Sequence, residues 1–245
     1  MGDDPFPTAM PERQVLERER SGQVSPGFAL KSGVSFCRVS DRTVFLDLSA
    51  DRYFCLSSAG ERSFSRLVDS KPLSSSDAVA LGNLAVNGPL IHTEVASAIT
   101  PCPAIELPVC SLLDEQAGRP RLFELLAAGP SLFAAPLLLR LYGLHALVER
   151  LRSRKARVST IARQGRQTTV ATAFKSWRYV ATEQDHCLTR SVAVASRLIS
   201  VGARPELIIA VKLRPFAAHA WVQCDGCLVN DRHEFVRDYT PILII

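Results

Sequence analysis

The stretch that most constrains this chain lies between residues 187 and 231, where the hydrophobic period switches from helical to extended. From Cys187 to Val201, Leu188, Val192, Ala195 and Ile199 recur at threes and fours, with Val194 and Leu198 beside them, which is one apolar stripe of an amphipathic helix. ELIIAVKL, AHAWVQ and CLVND follow as strand-like runs. The last two flank Cys224-Asp225-Gly226, and Asp-Gly between apolar runs is a hairpin signal. A helix followed by antiparallel strands places this part of the chain in the α+β class.

Cys187 falls in the first turn of that helix, with Asp185 as its natural cap. Unpaired amide donors and the positive end of the helix dipole favour a thiolate there, which suits a nucleophile. The bland alternative for a lone cysteine is a small buried hydrophobe. The hairpin bears on the choice. A two-residue Asp225-Gly226 loop sets His219 against Arg232, whereas a three-residue loop, Cys224 to Gly226, sets His219 opposite Asp231. In the second register the carboxylate orients the imidazole and leaves its other nitrogen for the thiol. The expectation is a triad of Cys187 as nucleophile, His219 as base and later acid, and Asp231 as orienting carboxylate. His233 and Asp238 are the rival members should the register differ, and His186 is placed to tune the thiol or cap the helix. Trp221 shares the strand face of His219 and is read as core.

The rest of the chain divides by composition. Residues 1–29 combine charge with Pro5, Pro7, Pro11 and Pro26 and are expected to be a mobile segment. From about Ser32, GVSFCRV, TVFLDL and DRYFCL read as a three-stranded meander, with Val44, Leu46 and Leu48 on one face of the middle strand. Ser57 or Ser58 caps a helix running to about Asp69, and Ser74 to Ser76 cap a second, carrying Ala78, Leu81, Leu84 and Ala85 and stopped near Asn87-Gly88-Pro89. Residues 30–98 are thus expected to form a small β3α2 module. Pro101, Pro103 and Pro108 make 99–110 a stiff linker. Residues 111–245 are the second domain, helical to about 182, where Leu122, Leu125, Leu126, Leu137, Leu138, Leu141, Leu144, Leu147, Val148 and Leu151 keep helical spacing.

Composition narrows the function classes. An apolar fraction of 47% against 22% charged, over 245 residues, is a globular balance. The uncharged stretch Leu125–Leu139 is interrupted by Pro130 and Pro136 and is shorter than the roughly 20 residues of a bilayer span, so no membrane insertion is expected. The N-terminus has no apolar secretory region, and the chain is expected to be cytoplasmic. Seven cysteines, an odd number, are poorly explained by a disulfide framework in a reducing compartment, and Cys37, Cys55, Cys102 and Cys110 show no partner pattern. Cys224 and Cys227 form a solitary CxxC without a second ligand pair, so no metal is expected; without a Gly-rich phosphate loop, no nucleotide cofactor is called for. Residues 140–180 hold ten Lys or Arg against Glu149 alone, in a chain of net charge +5. That run fits an acidic partner or a solvated face, and no groove-reading motif makes it a nucleic-acid site.

The run HCLTRSVAVASRLISVGARPELIIAVKLRPFAAHAWVQCDGCLVND resembles the transglutaminase-like cysteine peptidase of lasso-peptide maturation B proteins, with its Cys-Leu-x-Arg-Ser helix, Ala-His-Ala-Trp-Val strand and following Asn-Asp. The resemblance implies a transglutaminase/papain-like domain and gives Cys187, His219 and Asp231 the triad roles. VFLDLSADRYFCLSSAGERSF resembles, less specifically, the PqqD-like recognition element, a winged-helix-like module that adds a precursor's leader peptide to a sheet edge. By that resemblance Tyr53 and Phe54 on the strand, with Leu81 and Leu84 on the second helix, border the leader cleft. The implied function is removal of the leader from a ribosomally made precursor, whose core is then closed by an asparagine-synthetase-like, ATP-dependent macrolactam cyclase. An acyltransferase using the same triad, and a non-catalytic protein that only delivers the precursor, are the alternatives.

Overall fold

A computed structural model describes residues 27–94, 98–108, 110–114, 122–159, 165–177 and 187–245. Strands β2 (Val34–Val39), β3 (Arg42–Asp47) and β4 (Arg52–Cys55) form an antiparallel sheet in the order β2-β3-β4. Alternation sorts its side chains onto two faces. Phe36 and Phe45 pack with Phe64 and Leu81 beneath α1 (Ser58–Val68) and α2 (Ser75–Asn87). Cys37, Val39, Val44, Leu46 and Leu48 point the other way and join the core of the C-terminal half. That core takes residues from both halves of the chain, while the module keeps a second cluster of its own beneath its helices.

Ser57 caps α1 through its bond to the Gly60 amide, and Ser74 with Asp77 makes a reciprocal capping box on α2. One strand falls where the composition implied none: β1 (Gly27–Leu30) lies partly within the stretch expected to be mobile and pairs antiparallel with β5 (Leu90–Thr93). The partner strand lies about sixty residues downstream, which a local pattern cannot reveal.

The C-terminal half contains α3 (Leu122–Ala156), α4 (Arg166–Ser176), α5 (Cys187–Ser200) and the short α6 (His233–Val236). They accompany a five-stranded sheet ordered β10-β7-β8-β9-β6, from β6 (Cys110–Ser111), β7 (Glu206–Lys212), β8 (Ala217–Cys224), β9 (Cys227–Leu228) and β10 (Thr240–Ile244). Val192, Ala195, Leu198 and Ile199 of α5 are buried against Leu207, Ile209, Ala220 and Val222. Ile208, Ala210, Trp221, Leu228 and Val236 fill the opposite face, which makes Trp221 a core residue.

Two features depart from the sequence reading. Pro130 and Pro136, which interrupt the uncharged stretch, lie inside α3, while Gly143, at φ 75° and ψ 167°, breaks it into two helical pieces. Among the described residues α3 is the helix long and apolar enough, by length and composition alone, to cross a membrane. Its Ala128, Gly129, Leu144, Leu147, Val148 and Leu151 are buried, whereas Leu122, Leu126, Leu137 and Leu141 are exposed. The second departure is Cys110, which forms a disulfide with Cys227 across 117 residues. Parallel pairing of β6 with β9 puts these two cysteines in register.

Candidate active site

Cys187 opens α5, half-buried, and its sulfur faces His219 from β8. Burial works against the thiolate. The hydrogen bond and charge of His219, together with the amide N–H groups of Ala220 and Leu188, outweigh it, and the thiol titrates below its ordinary value. Burial likewise disfavours the imidazolium of His219, but bonds to Asp231 and Cys187 and the charges on both push its pKa up to about 9. Nε2 of His219 lies 2.5 Å from Oδ2 of Asp231, which leaves Nδ1 as the nitrogen for the thiol. The arrangement favours a thiolate–imidazolium pair across neutral pH.

The hairpin differs from the register expected to bring these side chains together. Cys224 pairs with Cys227 and Gln223 with Leu228, so the loop is the two-residue Asp225-Gly226 turn. Both loop residues have positive φ, 51° and 77°, as a type I′ turn requires. The three-residue loop is therefore overturned, yet His219 and Asp231 still meet, because the ladder stops short. Val229 donates the last backbone bond to Val222, and Asn230 then inserts its side-chain Oδ1 to accept the Val222 N–H. Past that point the chain leaves the hairpin, and Asp231 swings to the face it would not occupy in a continued strand.

Four residues to which the sequence reading gave no role surround this geometry. Asn230 Nδ2 donates to Ser191 Oγ, and Ser191 Oγ donates to the Ala220 carbonyl, so one buried network ties α5, β8 and the Asp231 segment together. Ser111 Oγ donates to the Asp231 carbonyl at 2.7 Å. Tyr239 lies against the imidazole, with ring centroids 5.3 Å apart. Of these, Ser191 carried a signal as a polar residue inside the apolar face of α5, and Asn230 as the first half of the Asn-Asp pair.

The rival residues are elsewhere. His233 and Asp238 are exposed, and Asp238 pairs with Arg237. Asp185 and His186 lie outside the described residues. Cys224 is buried and free, and the described residues contain no group of three or more His, Cys, Asp or Glu that would hold a metal.

Residues 131–244 match the transglutaminase-like superfamily. The C-terminal half thus carries a transglutaminase-like domain, from a superfamily that includes cysteine peptidases and acyltransferases and is typically a cysteine-based catalytic fold. Cys187, His219 and Asp231 all lie within the match, and the β2-β3-β4 module lies outside it. No curated protein and no solved structure matches the chain.

The four residues expected to border a leader cleft do not line one surface. Leu81 is fully buried in the module core, and Leu84 packs partly against it. Tyr53 and Phe54 are consecutive on β4 and so face opposite ways. Phe54 stacks on Phe45 at 5.2 Å, while Tyr53 turns towards the C-terminal core. The outer edge of β4 pairs with no strand among the described residues.

Proposed function

We propose that this protein is a leader peptidase of lasso-peptide maturation: a cysteine endopeptidase that binds a precursor's leader and cuts it from the core peptide. The observation that carries the reading is the Cys187 thiol at the first turn of α5 facing an imidazole whose far nitrogen is 2.5 Å from Asp231. Cys187 is the nucleophile, His219 the acid and base, and Asp231 the residue that fixes the ring. The thiolate attacks the scissile carbonyl, and the oxyanion is met by amide donors at the start of α5. His219 gives its proton to the departing amine as the C–N bond breaks, leaving a thioester. Water, deprotonated by His219, then attacks the thioester and releases the leader as a free acid while the proton returns to the Cys187–His219 pair.

The edge of β4 that pairs with no strand among the described residues, in a sheet packed on one face by α1 and α2, supports reading residues 30–98 as a PqqD-like module that takes the leader as an added strand. The freed core amine is the substrate for an asparagine-synthetase-like, ATP-using cyclase, because a hydrolase releases an amine without activating a side-chain carboxylate. Binding leader and scissile bond on one chain raises the effective concentration of the bond at the thiol.

The test is mass spectrometry of a precursor encoded beside this protein, after incubation with wild type and with Cys187→Ala. A single cut at the leader–core junction that needs Cys187 is expected. An amine adduct on the acyl fragment would report acyl transfer instead, and an intact precursor despite leader binding would report a delivery protein.

A further inference from the structure

The turn between β7 and β8 docks on the N-terminal module beside the thiol, in an arrangement that the triad does not use. Phe216 meets Tyr53 edge to face, with centroids 5.6 Å apart, and Arg214 reaches Asp41 on the module's β2–β3 turn at 3.5 Å. Phe216 is nonetheless 52% exposed, so one side of its ring stays open to solvent. It immediately precedes β8, along which alternation puts Ala218 and Ala220 on one side of the strand. The amide of Ala220 points at the Cys187 sulfur. The Ala218 methyl between Phe216 and Ala220 is exposed. Alternate positions are about 7 Å apart along a strand, so this methyl lies about one side chain's width from the Ala220 amide.

Tyr53 meets Phe216 from the module. It is half-buried against the core that α5 and β8 share, and its hydroxyl is pushed up to about 12 by burial first, then by the charges of Asp51 and Cys187. It also belongs to β4, an edge strand among the described residues. A peptide leaving that edge for the thiol passes Tyr53.

Building on the leader-peptidase reading, we propose that Tyr53 and Phe216 are the walls, and Ala218 the floor, of an apolar subsite that seats the substrate side chain just before the scissile bond. The leader side is assigned because the module that holds the leader supplies Tyr53. Specificity at the cut is then read by both halves of the chain at once, and a carboxylate at that position is rejected because the ring faces repel an anion and offer it no donor.

The subsite is tested on the full-length protein in two ways. The first needs no precursor: the rate of Cys187 alkylation by N-benzyl iodoacetamide is compared with that by iodoacetamide, each normalised to glutathione and located by peptide mass spectrometry. Wild type is expected to favour the benzyl reagent, and Phe216→Ser, Tyr53→Leu and Ala218→Leu to lose about threefold to tenfold of that preference. Phe216 and Ala218 are exposed, so their variants do not test folding. The same preference in all four proteins overturns the proposal. The second compares kcat/KM for precursors with Leu or Glu before the cut. A Leu preference that falls in Phe216→Ser supports the subsite, and an unchanged one overturns it even though the peptidase reading stands. A benzyl preference that the variants abolish, in a protein that cuts no precursor, keeps the subsite and removes the peptidase reading.

Discussion

His219 and Asp231 lie 2.5 Å apart across a hairpin whose backbone register does not pair them. Their meeting depends on where the ladder ends. Asn230 spends its side chain on the Val222 amide, and the next residue is released to reach the imidazole. Replacing Asp231 with Asn keeps the shape and removes the charge that holds His219 protonated. Cleavage is expected to fall by about a hundredfold or more, with leader binding kept, as read by kcat and by binding of a leader peptide. Asp238→Asn, on an exposed residue paired to Arg237, is expected to match wild type.

The same pair sets a pH profile. The reactive form is thiolate with imidazolium, so activity rises as pH climbs through the lowered Cys187 value and falls as it passes about 9, where His219 loses its proton. Since Asp231 raises the His219 value, Asp231→Asn is expected to move the alkaline limb to lower pH. A kcat/KM profile of both proteins checks this. An alkaline limb that stays in place would show that Asp231 does not set the imidazole.

Asn230 is the buried residue through which α5, β8 and the Asp231 segment are joined. Asn230→Ala leaves the Val222 amide without its acceptor in the interior, at a cost of about 1–3 kcal/mol. The melting temperature is expected to drop by several degrees and activity to fall with it. Ser191→Ala removes the other end of the network while leaving Val222 satisfied, so the smaller loss is expected there. Thermal melts of the two variants rank them.

Local rules carried much of this fold. The alternation in Phe36, Cys37, Val44, Phe45 and Leu46 placed each residue on the face it occupies, and Ser57 and Ser74 cap their helices through side-chain bonds that a short motif foretells. Cys187 at a helix start and His219 on a strand were legible for the same reason. Non-local choices were hidden. Asp225-Gly226 announces a hairpin but not the length of its ladder, which Asn230 decides by competing for a backbone donor. Gly27–Leu30 becomes a strand only because Leu90–Thr93 is there to pair with it, and the exposed leucines of α3 keep helical spacing without sharing a buried face.

Cys110 shows the same limit, and it carries the last expectation. Its disulfide to Cys227 closes a loop of more than a hundred residues and fastens β6 to β9, a few positions before Asp231. Ser111 beside it holds the Asp231 carbonyl. Cys110→Ser is expected to lower stability by about 2–5 kcal/mol, chiefly by freeing the unfolded chain. Ser111→Ala leaves the disulfide in place and lets the Asp231 backbone loosen, so it is expected to reduce turnover more than it reduces the melting temperature. Melts with and without reductant separate the two, since reductant should destabilise wild type and Ser111→Ala alike and leave Cys110→Ser unchanged. Equal melts for wild type in both conditions would mean that the bond contributes nothing to folding.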